Sequence, residues 1–230
     1  MLVVSNIDLT NNLRVMKPAK FLASTIKDFT LNLNNDYRYM KTGYYVSLHA
    51  EILGNQVIPS SENIIDSSRI PILLLRAQRA GIPTQPFLVT DSVKKIASEL
   101  GFPVVLYAVN PFIHDGYKTA SNRSALYRAV KSLGMNYKFA VCAQPLKGEM
   151  HTFKAFFGKC DEDEAARNIA EKVYNLFKIP VCKLHTQRIE GKAYLSGLQP
   201  LEKNELAPND LRTISKQVLL LSEQGDSISG

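Results

Sequence analysis

Residues 77–109 read AQRAGIPTQPFLVTDSVKKIASELGFPVVLYAV, and their punctuation decides the fold class. A helix ending at Ala80 is closed by Gly81, and Pro83 just beyond prevents its continuation. The run Phe87–Thr90 that follows is β-like. Asp91 or Ser92 can then cap a helix over Val93–Leu100, in which Val93, Ile96, Ala97 and Leu100 share one face. Gly101 stops it, and Val104–Val109 is again β-like. Helix, strand, helix, strand in so short a span indicates helices layered on a sheet.

The alternation continues in both directions. Towards the N-terminus, Ile70–Ala80 and Gly43–Leu53 read as helices, the latter with Tyr45, Leu48 and Ile52 along one face and Gly54 as its breaker. MLVVSNIDLT reads as a first strand. Towards the C-terminus, Ser121 can cap a helix with Leu126, Ala129, Val130 and Leu133 inward. The carboxylates of 161–164 open another that runs to Phe177, with Lys172 and Lys178 near its end, the charge order the helix dipole favours. The runs Phe139–Gln144, Thr152–Phe157, Val181–Ile189 and Ala193–Leu198 are β-like. Phe139, Val141 and Ala143 alternate as in a half-buried strand, and 189–192 (IEGK) suits a hairpin turn. Over 209–222, Leu211, Ile214, Val218 and Leu221 form a narrow apolar seam that either docks on its own domain or pairs with a second copy. The expected class is α/β, with α+β also open: mixed or antiparallel sheets flanked by helices.

Composition narrows the function. Apolar residues make up 45% of the 230, enough for a real core, and no apolar run is long enough to span a bilayer. Cys142, Cys160 and Cys182 are odd in number and widely spaced, which fits neither a disulfide framework nor a CxxC metal pattern; a reducing cytoplasm suits them. Cys142, in an apolar strand, is expected to be buried and inert. The net charge of +7 favours anionic partners, but the basic residues are scattered and argue against nucleic acid. His49, His114, His151 and His185 show no metal spacing, and Ser47, Ser60 and Ser61 lie in no GxSxG setting.

Residues 36–66, DYRYMKTGYYVSLHAEILGNQVIPSSENIID, crowd Tyr37, Tyr39, Tyr44 and Tyr45 ahead of a short apolar helix. With the segments downstream, this run resembles the RimK-like ATP-grasp N-terminal domain. The segment 57–69 (VIPSSENIIDSSR) looks like the lead into a first helix, and GIPTQP and GFPVV look like the passages that enter two strands. The segment 139–158 (FAVCAQPLKGEMHTFKAFFG) resembles the adenine-contacting strand and the hairpin after it, and 179–201 (IPVCKLHTQRIEGKAYLSGLQPL) the closing, metal-bearing hairpin. The resemblance implies ATP-grasp-like lobes. It divides the chain into an N-terminal region over 1–66, an α/β lobe over 67–150, a C-terminal α/β part over 151–224 and a frayed tail over 225–230.

The resemblance also implies where nucleotide would sit, and there the sequence departs. PVVLY stands where PVVLK is expected, so Tyr107 replaces a phosphate-binding cation; a phenol cannot neutralise phosphate charge. NPFIHDGYKTA (110–120) offers only Gly116 where a glycine-rich phosphate loop is expected. The expected metal ligands of the closing strand fall near Gly197 and Gln199, neither an anionic ligand for magnesium. The nucleotide-binding candidates are Arg69, Tyr107, Lys118, Gln144 and Lys147. Asp36, Arg38, Tyr44, Tyr45 and Glu51 read as a surface for substrate or partner, or as a tyrosine-rich core edge with Arg38 paired to Asp36 or Glu51. The leading expectation is a non-catalytic or substrate-handling component that acts with a separate ATP-grasp carboxylate–amine ligase. The alternative is an active ligase using ATP and magnesium, with Arg69, Lys118 and Lys147 on phosphates and Glu149, Glu190 or Glu202 on the metal. A basic nucleic-acid-binding module is a weaker third.

Overall fold

The computed structural model describes residues 1–9, 15–110, 113 and 116–226, with side chains to residue 223. The chain begins with β1 (Leu2–Ser5), β2 (Val15–Met16), α1 (Pro18–Leu22), β3 (Thr30–Leu33), α2 (Thr42–Ile52) and β4 (Val57–Ile58). These four strands form a parallel N-terminal sheet in the order β2-β1-β3-β4. Every residue of β1 and β3 is buried, as both faces of a parallel sheet require. One face carries α1 and α2 through Phe21, Val46 and Ala50; the other joins the main core.

Two helices then cross over, α3 (Ser61–Ser68) and α4 (Ile70–Arg79), separated by Arg69 alone. Pro71 explains the break. It lacks an N–H, and its ring would clash with the carbonyl of Ser67 in a continuous helix. Arg69 therefore takes an extended conformation, φ −100° and ψ 101°.

The middle sheet follows: β5 (Leu88–Thr90), α5 (Val93–Leu100), β6 (Val104–Ala108), β7 (Lys118–Ala120), α6 (Arg123–Leu133) and β8 (Val141–Pro145), antiparallel in the order β5-β8-β6-β7. The glycines that close the flanking helices, Gly81 and Gly101, both sit at φ 71°, where a side chain would be strained. Ser92 caps α5 as the sequence suggests, whereas α6 is capped by Asn122 rather than Ser121. Each such cap contributes about 1 kcal/mol. α5 and α6 cover the outer face through Ile96, Leu126, Val130 and Leu133.

A third, antiparallel sheet, ordered β11-β10-β9, comprises β9 (Glu149–Phe156), β10 (Val181–Ile189) and β11 (Lys192–Gln199), with α7 (Glu164–Phe177) between β9 and β10. The β10–β11 turn has Glu190 at φ 49° and Gly191 at φ 75°, the paired positive φ of a tight hairpin. The backbone N–H of Leu195 donates to Pro83 O at 2.7 Å, which tacks the GIPTQP segment onto β11. A 3-10 turn (Lys203–Glu205) leads into α8 (Pro208–Asp226). Of the tail expected from residue 225, residues 227–230 lie outside the described residues, and Asp226 ends α8.

The α/β class holds: parallel and antiparallel sheets are flanked by helices around one shared core. Two expectations are corrected, and one left open between two uses is narrowed. First, β8 is buried at every residue, not half-buried, because it is a central strand with helices on one face and the third sheet on the other; Phe139 lies outside it, 38% exposed. Second, α2 buries the small stripe Gly43, Val46, Ser47 and Ala50, while Tyr45 and Ile52 face outward. Close approach to a sheet selects small residues there. Third, the seam of α8 is used within the chain. Ile214 and Val218 are fully buried in the main core with Leu211 and Leu221 packed beside them, so the seam docks on its own domain, the first of the two uses expected of it. Burial of each such side chain is worth roughly 1.5–3 kcal/mol.

Candidate functional site

Alternation along β6 aims Tyr107. Val104 and Leu106 pack under α5 and α6, so Val105 and Tyr107 point the other way, towards the third sheet. There the Tyr107 ring lies on Gly197 of β11, so close that a Cβ at 197 would stand 2.8 Å from the ring. The Tyr107 hydroxyl donates to Ser196 Oγ at 2.9 Å, Ser196 Oγ donates to Gln144 Oε1 at 3.0 Å, and Gln144 Nε2 donates to Ser196 O at 3.0 Å. Gln187 extends the ladder, with Nε2 donating to Pro145 O at 3.1 Å and Oε1 accepting from Lys147 N at 3.1 Å. Tyr107, Gln144, Gln187 and Ser196 are all buried. The middle and third sheets thus meet through direct side-chain hydrogen bonds. Burial pushes the Tyr107 phenol far above its ordinary range, so it remains a neutral donor.

Beside Tyr107 an open cleft of about 80 Å³ remains, lined from the middle and third sheets, from the loop after β3 and from the α3–α4 break. That is well below the roughly 300–1,000 Å³ of pockets that enclose drug-sized ligands. Arg38, Tyr39, Arg69, His185 and Gln199 are among its walls. Arg38 is paired with Asp36, and both are half-buried. Burial works against the Asp36 carboxylate, but the hydrogen bonds and charge of Arg38 outweigh it and hold the carboxyl below its ordinary range. His185 Nε2 donates to Gln199 Oε1 at 3.2 Å, which leaves Nδ1 to accept from the Thr152 hydroxyl at 2.8 Å. Burial lowers its pKa to about 4, so the ring in the cleft wall is neutral.

The other candidates are dispersed. Lys118 donates to Ser132 Oγ on α6 at 2.7 Å and lines a separate groove there. The Lys147 side chain is exposed. Neither joins Arg69 at the cleft. Glu149 and Glu190 lie at the hairpin end of the third sheet, whereas Glu202 follows the far end of β11, so these carboxylates do not converge on one metal. Among the described residues no cluster of three or more metal-ligating side chains occurs. His49 bonds Ser24 O, His151 faces Glu162 at 3.7 Å, and His114 lies outside the described residues, as do 111, 112 and 115 of the expected phosphate loop. Cys142 is buried and its thiol is pushed up to about 12 by burial.

The tyrosine cluster splits. Tyr37 is core, its hydroxyl donating to Asn32 O at 3.0 Å and accepting from Asn34 N at 2.9 Å. Glu51 accepts from Ser61 N at 2.8 Å and from the Ser61 hydroxyl, which ties the end of α2 to the start of α3. Tyr39, Tyr44 and Tyr45 form an edge-to-face series with centroids 5.1 and 5.7 Å apart, running from the cleft wall to the exposed Tyr45. Sequence reasoning missed Ser196, Gln187 and His185 as members of the site. The available signal was the joint change at Tyr107 and Gly197, a large ring opposite a residue with no side chain.

Comparison with known proteins agrees with this geometry. The model of the RimK-like ATP-grasp N-terminal domain matches residues 21–217. Among solved structures, D-alanine–D-alanine ligase from Bacillus anthracis superposes with a TM-score of 0.68 at 16% identity, covering 99% of this chain and 97% of that one. The RimK domain ATP-grasp protein from Sphaerobacter thermophilus gives 0.63 at 15% identity, covering 95% and 100%. D-alanine–D-alanine ligase from Helicobacter pylori gives 0.57 at 17% identity, covering 82% and 68%. No curated protein matches the sequence. At these identities the structural likenesses carry the ATP-grasp fold alone. No helix among the described residues is long and apolar enough to cross a membrane. The chain belongs to the RimK-like ATP-grasp N-terminal domain family.

Proposed function

We propose that this protein is a non-catalytic or substrate-handling component that works with a separate ATP-grasp carboxylate–amine ligase. In such a ligase, cations and magnesium hold the triphosphate while a carboxylate attacks the terminal phosphoryl group, and an amine then takes the acylphosphate. One similar structure, the Bacillus anthracis D-alanine–D-alanine ligase, is known as a complex with ATP. The observation that supports the reading is the packing of Tyr107 on Gly197, with Gln144 and Ser196 bonded across the junction of the middle and third sheets, where the resemblance would put nucleotide. On that resemblance a neutral phenol stands where a phosphate-binding cation is expected. The proposed contact surface for substrate or partner ligase is Arg38 with Asp36, continued by Tyr44 and Tyr45. Glu51, tied to Ser61, supports the fold behind it.

Titration of the full chain with Mg-ATP in a calorimeter tests the reading. No saturable heat is expected, and micromolar binding would overturn it. With a purified ATP-grasp ligase as partner, Arg38→Ala and Tyr44→Ala should each abolish capture while the variants still fold. Undiminished capture by both would remove the proposed surface.

A further inference from the structure

We infer that the outer face of α6, with the turn that follows it, binds single-stranded nucleic acid. The inference is independent of the reading above. It concerns the side of the middle sheet turned away from the third sheet, and it stands whether or not ATP binds.

Charge points there first. The basic residues are dispersed along the sequence, yet the segment 87–148 holds eight lysines and arginines against three carboxylates, Asp115 included. It thus carries five of the seven net positive charges. From residue 116 to 148 there is no Asp or Glu at all. The fold sets part of that segment on one surface. Arg123, Tyr127 and Lys131 follow one another at four-residue spacing, about 6 Å of helix rise each, and Arg128 lies beside them. All four are exposed, because Leu126, Ala129, Val130 and Leu133 take the inward positions.

Rings accompany the charges. Tyr127 is 52% exposed between Arg123 and Lys131, and its neighbour is Tyr137, with centroids 5.7 Å apart and planes at 57°. A costly backbone holds Tyr137 there. Met135, Asn136 and Tyr137 have φ of 51°, 57° and 64°, three successive left-handed residues with no glycine among them. Asn136 N donates to Lys131 O at 2.8 Å and Phe139 N to Gly134 O at 3.0 Å, which closes the turn against the end of α6. Lys138 and Phe139, next in the chain, are exposed as well. Cations interleaved with aromatic rings fit a strand whose phosphates and base faces are both accessible. A duplex hides its base faces and would engage the cations alone. A lipid surface needs large apolar anchors beside the charges, and the outward positions of α6 are Arg123, Ser124, Tyr127, Arg128, Lys131 and Ser132. An acidic peptide would answer the charges and leave the rings unused.

The test is fluorescence anisotropy of the full chain with labelled oligouridine and oligothymidine of about twelve nucleotides, a duplex of equal length alongside. Phosphatidylserine vesicles and polyglutamate serve as competitors. Saturable binding is expected at about 50 mM KCl, with log K falling against log salt at a slope of about −2 to −3, as three or four neutralised phosphates require. Tyr127→Ala should weaken binding about five- to a hundredfold and leave the slope unchanged, with Tyr127→Phe close to wild type. Arg128→Gln and Lys131→Gln should each flatten the slope by about 0.7, while Lys192→Gln, at the exposed start of β11, changes nothing. Should Tyr127→Ala not fold, amide NMR shifts of the wild-type chain on adding the oligonucleotide decide, and they are expected over residues 123–139. No saturable binding, a duplex or either competitor held at least as tightly as the single strand, a folded Tyr127→Ala that binds like wild type, or shifts elsewhere would each overturn the proposal.

Discussion

Substituting Gly197 by alanine is the smallest change that questions the contact between the middle and third sheets. An ideal Cβ at 197 falls 2.8 Å from Tyr107 Cε1, 3.0 Å from Cζ and 3.1 Å from the hydroxyl oxygen. Carbon pairs rest at about 3.5–4.0 Å, so ring or strand must yield by roughly 0.7 Å. Neither moves freely. The ring is buried and its hydroxyl is fixed to Ser196, while β11 is paired along its length with β10. Overpacking of this kind costs about 1–3 kcal/mol. Against it, alanine in a strand interior is favoured over glycine by about 0.5–1 kcal/mol. The clash wins, and Gly197→Ala should destabilise the protein by about 0.5–2 kcal/mol in urea unfolding. In a Tyr107→Leu background the ring edge is gone, so the same substitution should become neutral or stabilising. The coupling between the two sites should then be about 1–3 kcal/mol. Additivity of the two substitutions to within about 0.5 kcal/mol would refute the packing argument.

Three further outcomes are expected. The folded-state pKa of His185 lies near 4 against 6.5 ordinarily, so between those values the unfolded chain binds more protons. Stability is therefore undiminished by this group above pH 6.5 and falls as pH drops towards 4, by about 3 kcal/mol at the lower end. Chemical unfolding of His185→Gln should lack that share of the acid slope, and identical slopes in both proteins would contradict the assignment. Lys154 Nζ donates to Glu205 O at 2.6 Å and to Asp210 at 2.7 Å, so Lys154→Met should speed hydrogen exchange at the start of α8 and leave β6 unchanged. Pro71→Ala should let α3 and α4 merge, raising helical circular dichroism; unchanged ellipticity would disconnect Pro71 from the break.

Much of the fold was legible because its punctuation is local. Gly81, Gly101, Ser92 and the pair Glu190-Gly191 each demand a specific backbone geometry, and each stands where the residue type predicts. β10 begins and ends where its β-like run does. β3 was not legible: TLNL is short and buried on both faces, so neither alternation nor length distinguishes it. The three-residue β7 failed for the same want of length. In α2 the eye goes to Tyr45 and Ile52, yet a closely packed helix buries its small residues. The site divides likewise. That a tyrosine stands at 107 and a glycine at 197 is visible in sequence. That the two touch, across 89 residues between Tyr107 and Ser196, is a tertiary fact. Arg69 was identifiable as a cation, but its place in the cleft wall beside the Asp36–Arg38 pair is a tertiary fact as well.

The most direct measurement is a crystal structure of the full chain soaked with magnesium and ATP. The account predicts the Tyr107 ring still seated on Gly197, its hydroxyl within hydrogen-bond reach of Ser196 as at the present 2.9 Å, and no ordered nucleotide between the middle and third sheets. An ordered triphosphate in that space, with Tyr107 swung aside, would contradict it.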